Sequence, residues 1–135
     1  MRKDKSVLVC VTNQKRCERL IKAGYLLAKA LDSKLKVLSV QSSSQAKNLQ
    51  DTPLEYLFNV CKSLGAEMQV YWGENVNAVA MNYIRSNRVE QLVFGVPSKM
   101  NQGNFVYDVH QSFPNIPISI VDELNEVKTL EFFNI

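Results

Sequence analysis

The sequence offers few side chains of the types and spacing that covalent chemistry requires. His110 is the single histidine, and Asp108 precedes it by two positions. A histidine oriented by a carboxylate is a general base, but residues two apart point to different sides of a helix. No serine or cysteine nucleophile is placed beside His110 by spacing. One histidine with scattered carboxylates also makes no metal site. Three cysteines occur, Cys10, Cys17 and Cys61, without a C-x-x-C pair, so neither a disulfide framework nor a zinc site is expected. Cys10 sits within an apolar run and reads as a packed core residue. Cys17 follows Lys15 and Arg16 at the start of a helical pattern. Cations and helix starts activate thiols, so redox sensing stands beside an ordinary helix position as a reading. The remaining candidates bind rather than react. Thr12, Asn13, Ser98 and Asn104 are neutral, suited to hydrogen-bonding a ligand and not to moving its protons. Ser42, Ser43 and Ser44 read equally as ligand-binding hydroxyls or as a flexible polar loop. Tyr71 and Trp72 offer faces that could stack on a base or pack under a helix.

An alternating series of elements must position these groups. Val7-Leu8-Val9-Cys10-Val11 is a continuous apolar run rich in β-branched residues, the pattern of a strand buried on both faces. From Lys15 to Leu31 the spacing becomes helical, with Leu20, Ile21, Gly24, Leu27, Ala28 and Leu31 on one face. Residues 35–40 predict a second strand and the polar residues 41–51 a loop. Thr52-Pro53-Leu54-Glu55 predicts a helix start with a capping box and proline at the first position, and Gly65 its left-handed stop. A third strand is expected from about Met68 to Trp72, a third helix from about Asn75 to Ser86, and a fourth strand over Gln91–Gly95. A loop and a short helix carrying Val106, Val109 and Phe113 then end at Pro114, before a fifth strand from Ile116 to Val121.

Strict alternation of strand and helix implies an α/β fold: a five-stranded parallel sheet with helices on both faces, Rossmann-like. Right-handed crossovers favour the strand order 3-2-1-4-5. The switch point then lies between the first and fourth strands, and ligands of such sheets bind in the crevice beyond the strand ends at that point. Val11, Thr12 and Asn13 would wall it from the first loop. Gly95, Pro97, Ser98, Gly103 and Asn104 would wall it from the fourth, and Val40 and Gln41 from the side. Ile116, Ile118 and Ile120 alternate along a strand expected at the sheet edge. A bare edge invites pairing, so these residues are the expected dimer interface.

One domain over residues 1–122, followed by a tail over 123–135, accounts for the chain of 135 residues. Hydrophobic residues at 46% and charged residues at 21% match a globular protein and argue against disorder. The net charge of +3 implies no strong polyanion partner. The charge is uneven, however: Lys15, Arg16, Arg19, Lys22, Lys29, Lys34 and Lys36 stand against Glu18 and Asp32. That cluster suits a solvated helix face or a surface that attracts phosphates. Nucleic-acid binding lacks its usual marks. The first apolar stretch is too short for a signal peptide, no run approaches membrane-spanning length, and reduced thiols suit a cytoplasmic protein.

The segments Val7-Leu8-Val9-Cys10-Val11-Thr12 and Cys17-Glu18-Arg19-Leu20-Ile21-Lys22, with Leu64-Gly65-Ala66-Glu67 and Gln91-Leu92-Val93-Phe94-Gly95 further on, resemble the universal stress protein (UspA-like) family. Within it the chain most resembles the stress-protein-like domain of osmosensing histidine kinases of the KdpD type. The likeness covers roughly residues 6–122. It implies the same five-stranded fold, of the adenine nucleotide alpha hydrolase-like kind, and function by binding. The expectation is a sensor module for an adenine nucleotide (ATP or AMP) or cyclic di-AMP. It would dimerise through the fifth strand, work with a histidine-kinase partner and carry no catalytic residues of its own.

The family's ATP loop, G-x2-G-x9-G-[ST], carries over only in part. Gly95 matches the first glycine, Ser98 stands at the second, and Gly103-Asn104 best matches the final pair. Seven residues separate Gly95 from Gly103, fewer than the pattern demands. A shortened loop offers fewer backbone N–H groups to phosphates. Thr12 replaces the aspartate of ATP-binding members and resembles the kinase-attached ones. The alternative reading is a dimeric interaction protein that binds no nucleotide. A small hydrolase or transferase is a remote reading that the fold alone does not license.

Overall fold

Local signals and backbone coincide most closely at the helix ends. The Thr52 hydroxyl accepts from the Glu55 N–H at 3.3 Å, Pro53 opens α2 (Pro53–Leu64), and Gly65 closes it at φ 70°. Asn75 caps α3 (Val76–Ser86) by accepting from the Ala78 N–H at 3.1 Å. Each cap satisfies a backbone group that the helix leaves orphaned. The helical pattern from Lys15 begins as a 3-10 turn, Lys15–Cys17, and continues as α1 (Glu18–Leu31). The computed structural model describes residues 5–41, 52–96 and 100–130, the side chains at 100–104 and 130 excepted.

The strands are β1 (Ser6–Cys10), β2 (Lys34–Gln41), β3 (Glu67–Trp72), β4 (Val89–Gly95), β5 (Ile118–Val121) and β6 (Val127–Leu130). They form one sheet in the order β3-β2-β1-β4-β5-β6. Neighbours are parallel except β5 and β6, which are antiparallel. The expected order is therefore present, with one strand added.

Two cores sandwich the sheet. Val7, Val9, Val37 and Val93 face α1 and α2, whose Ile21, Ala28, Leu57 and Cys61 pack on them. Leu8, Leu38, Leu92 and Ile118 face α3 and α4 (Met100–Ser112), meeting Ala80, Ile84 and Val109. The period of two in the strands thus sorts side chains between the two helical layers. Gly24 lets α1 lie close on β1: a Cβ there would fall 2.3 Å from Val9 Cγ2.

Two expectations change. First, residues 123–130 are not a plain tail. Asp122 Oδ1 accepts from the N–H groups of Leu124 and Glu126, each at 2.9 Å, and Asn125 takes φ 65°. This tight turn folds β6 back along β5. The bare β5 edge that motivated an interface at Ile116, Ile118 and Ile120 is consequently occupied. Ile118 is core, and Ile116 and Ile120 pack against the same layer. Second, α4 starts at Met100, so Gly103 and Asn104 lie within a helix and not in the loop after β4.

Candidate functional site

The crevice forms where β1 and β4 part. Val11 N–H bonds the Leu38 carbonyl at 2.9 Å, holding the end of β1 to β2. The chain then turns sharply: Gln14 N–H bonds the Thr12 carbonyl at 2.8 Å and Cys17 N–H the Gln14 carbonyl at 3.1 Å. This brings the Thr12 hydroxyl to 3.5 Å from Cys17 Sγ and starts α1 directly beside the strand ends.

The result is a cavity of about 410 Å³, within the size range of small-ligand sites. Its walls divide by chemistry. Leu38 and Val40 of β2, Phe94 of β4, Val76 of α3, and Phe105 and Val106 of α4 give an apolar side. Phe94 and Phe105 meet edge to face, their centroids 5.7 Å apart. Thr12, Gln14, Arg16, Arg19, Asn77 and Glu123 contribute polar and charged groups.

Arg19 is anchored. Its Nη1 donates to the carbonyls of Val121 at 3.3 Å and Asp122 at 2.7 Å, while Nη2 lies 4.0 Å from the Cβ position of Gly95. Arg16 is exposed, and its Nε donates to Gln14 Oε1 at 2.9 Å. Lys15 and Lys22 of the same basic cluster are engaged elsewhere: Lys15 lies over the Tyr56 ring at 5.4 Å, and Lys22 pairs with Glu18 at 3.1 Å. Hydrogen bonds from Tyr56 and then Lys22 hold the Glu18 carboxyl below its ordinary range. Burial pushes the Cys10 thiol, also on the crevice, up to about 12, so it stays neutral and is no nucleophile near neutral pH.

Of the residues expected here, Val11, Thr12, Val40 and Gly95 line the crevice. Asn13 and Gln41 are adjacent in sequence but do not line it. Gln41 Nε2 instead donates to Ser39 Oγ at 2.8 Å. Pro97, Ser98 and Ser42–Ser44 lie outside the described residues. Gly103 and Asn104 belong to α4. His110 and Trp72 are not among the lining residues, and Tyr71 packs edge-on against Tyr83 at 6.1 Å.

Sequence reasoning missed the charges. The crevice was expected to offer neutral groups only, yet Arg16, Arg19 and Glu123 reach it. The arginines were visible in the basic cluster, in its phosphate-attracting reading. Glu123 is hidden in the sequence because it falls beyond the last expected strand. A second depression of about 330 Å³ lies near the amino ends of β2 and β3, lined by Lys29, Lys34 and Glu67 among others, away from the switch point.

No protein-family model and no curated protein sequence matches this chain. Solved structures do. A universal stress protein from Archaeoglobus fulgidus in complex with dAMP matches with a TM-score of 0.59 at 13% identity, over 95% of this chain and 100% of that one. A universal stress protein in complex with cAMP matches at 0.58 and 12%, over 90% and 98%. A deacetylase of teicoplanin biosynthesis matches at 0.61 and 8%, over 88% of this chain and 67% of that one. At these identities the likeness shows the fold: a mostly parallel α/β sheet with helices on both sides, shared by stress proteins and deacetylases.

Proposed function

We propose that this chain is a universal stress protein-like binding module whose crevice takes an adenine nucleotide. The observation that carries this reading is the crevice at the β1/β4 switch point, apolar on one side and arginine-bearing on the other. An apolar wall with aromatic rings suits a base, and guanidinium groups suit a phosphate. The reading is supported by neighbours of the same fold that are complexes with dAMP and cAMP. ATP and cyclic di-AMP are further members of the ligand class.

The finer proposals follow from the same reading. The module works in the cytoplasm by binding rather than catalysis, and signals to a histidine kinase of the KdpD kind, whose stress-protein-like domain it resembles. Among the described residues no helix is long and apolar enough to cross a membrane. A homodimer would use the outer edge of β6, which ends the sheet, and the exposed side chains Leu124 and Val127 beside it.

A thermal-shift series with AMP, cAMP, ATP and cyclic di-AMP tests the ligand class. A ligand that binds only the folded state raises the melting temperature with concentration. A concentration-dependent rise with at least one compound is expected. The reading fails if none shifts the transition at millimolar concentration.

A further inference from the structure

We propose that this site holds its ligand's phosphate with the side chains of Arg16 and Arg19, and that it is built for a single phosphate group: a nucleoside monophosphate, open or cyclic, in preference to a triphosphate. This rests on the nucleotide reading above and names the group that recognises the anion. Gly103 and Asn104, the pair expected in a phosphate loop, lie within α4. What the crevice has instead is two guanidinium groups on its polar side.

Their surroundings suit the task. Arg19 spends Nη1 on the carbonyls of Val121 and Asp122, which fixes the planar group. Its Nη2 stands at the end of β4, 4.0 Å from the Cβ position of Gly95. Since Gly95 has no side chain, that nitrogen is not screened from the crevice there. Arg16 is steadied through Nε by the neutral Gln14, which leaves its charge uncompensated by that contact. A guanidinium held in place loses less entropy on meeting an oxyanion. The Thr12 hydroxyl lines the same cavity and adds a neutral donor.

Charge sets the number of phosphates. Among the described residues on the cavity wall, two arginines stand with one carboxylate, Glu123, which leaves these residues a modest positive balance. That balance complements one phosphate. A triphosphate would bring several further negative charges toward Glu123, where like charges repel.

Calorimetric titration of the wild-type chain with adenosine, AMP, cAMP and ATP decides the matter, alongside Arg16→Gln, Arg19→Gln and the control Lys29→Gln. Lys29 lies far along α1 over the Tyr25 ring. AMP and cAMP should bind at least about tenfold more tightly than adenosine, as a charge-assisted hydrogen bond implies, with ATP no tighter than AMP. Arg16→Gln and Arg19→Gln should abolish the preference over adenosine, and Lys29→Gln should keep it. If Arg19→Gln fails to fold, the exposed Arg16→Gln carries the comparison. Equal binding of adenosine and AMP, an undiminished preference in the folded arginine variants, or tighter binding of ATP overturns the proposal while leaving an adenine site intact. No binding of any of the four overturns this inference, and if cyclic di-AMP also fails to shift the melting temperature the nucleotide reading falls with it.

Discussion

The Arg19 guanidinium donates a 2.7 Å hydrogen bond to the carbonyl of Asp122, 103 residues later in the chain. One side chain thus ties α1, the wall of the crevice, to the turn between β5 and β6. Asp122 organises that turn through its own carboxylate, which accepts from Leu124 and Glu126. The geometry of the crevice and the closure of the sheet edge are therefore mechanically linked.

Replacing Arg19 with Ala should loosen both. Losing a charged donor to two carbonyls should cost about 1–2 kcal/mol in urea denaturation. Amide exchange over Val127–Leu130 should quicken more than exchange in β1. Unchanged protection of β6 would show that the hairpin holds to the sheet without Arg19.

Gly24 tests the close packing of α1 on β1. Alanine is the better helix former by about 1 kcal/mol, so propensity alone favours Gly24→Ala. The added Cβ would meet Val9 Cγ2 at 2.3 Å and Leu35 Cδ1 at 3.2 Å. Overpacking should win, with a net loss of about 1–3 kcal/mol. A stabilised variant in chemical denaturation would mean that the helix shifts outward at little cost.

Stability should fall steeply on the alkaline side. Burial is the main cause that raises Tyr83 from 10.0 to about 12, with the neighbouring Tyr71, Glu67 and Cys10 adding to it. Burial also raises Cys61 from 9.0 to about 11. A group whose folded pKa is raised stabilises fully below its unfolded pKa and loses that contribution as pH rises through the folded value. Tyr83 should therefore give up on the order of 2 kcal/mol between pH 10 and 12. Denaturation midpoints of Tyr83→Phe should decline less over that window than those of the wild type; parallel curves would assign the alkaline loss to the thiols.

The parts of this fold legible in sequence are those governed by local chemistry or by strict periodicity. Thr52, Pro53 and Gly65 specify α2 by capping alone. The apolar run Val7–Val11 specifies a central strand because both its faces are buried. The alternation of elements, with right-handed crossovers, then favours the sheet order and with it the position of the crevice. The missed strand, β6, is short, and its signal was the turn: Asp122 can cap backbone N–H groups two and four residues on, and Asn125 tolerates φ 65°. The missed charges have a different cause. Arg16 and Arg19 lie in a basic stretch in which Lys15 and Lys22 serve Tyr56 and Glu18 instead, and only the fold separates these roles. Glu123 reaches the crevice from a turn that a parallel-strand pattern does not contain.

Gly95 offers a way to close the crevice without replacing a charged residue. A Cβ at this position meets Leu20 Cδ1 at 3.4 Å and Cδ2 at 3.7 Å, ordinary contact distances, with no φ in the left-handed region. Gly95→Ala should therefore fold with a stability within about 0.5 kcal/mol of wild type. Gly95→Trp carries a bulky ring into space bounded by Leu20 and Arg19. It should retain the far-ultraviolet circular dichroism of the wild type yet show no melting-temperature rise with AMP, because the ring occupies the ligand's place. A full AMP response in a folded Gly95→Trp would put the binding site somewhere other than the β1/β4 crevice.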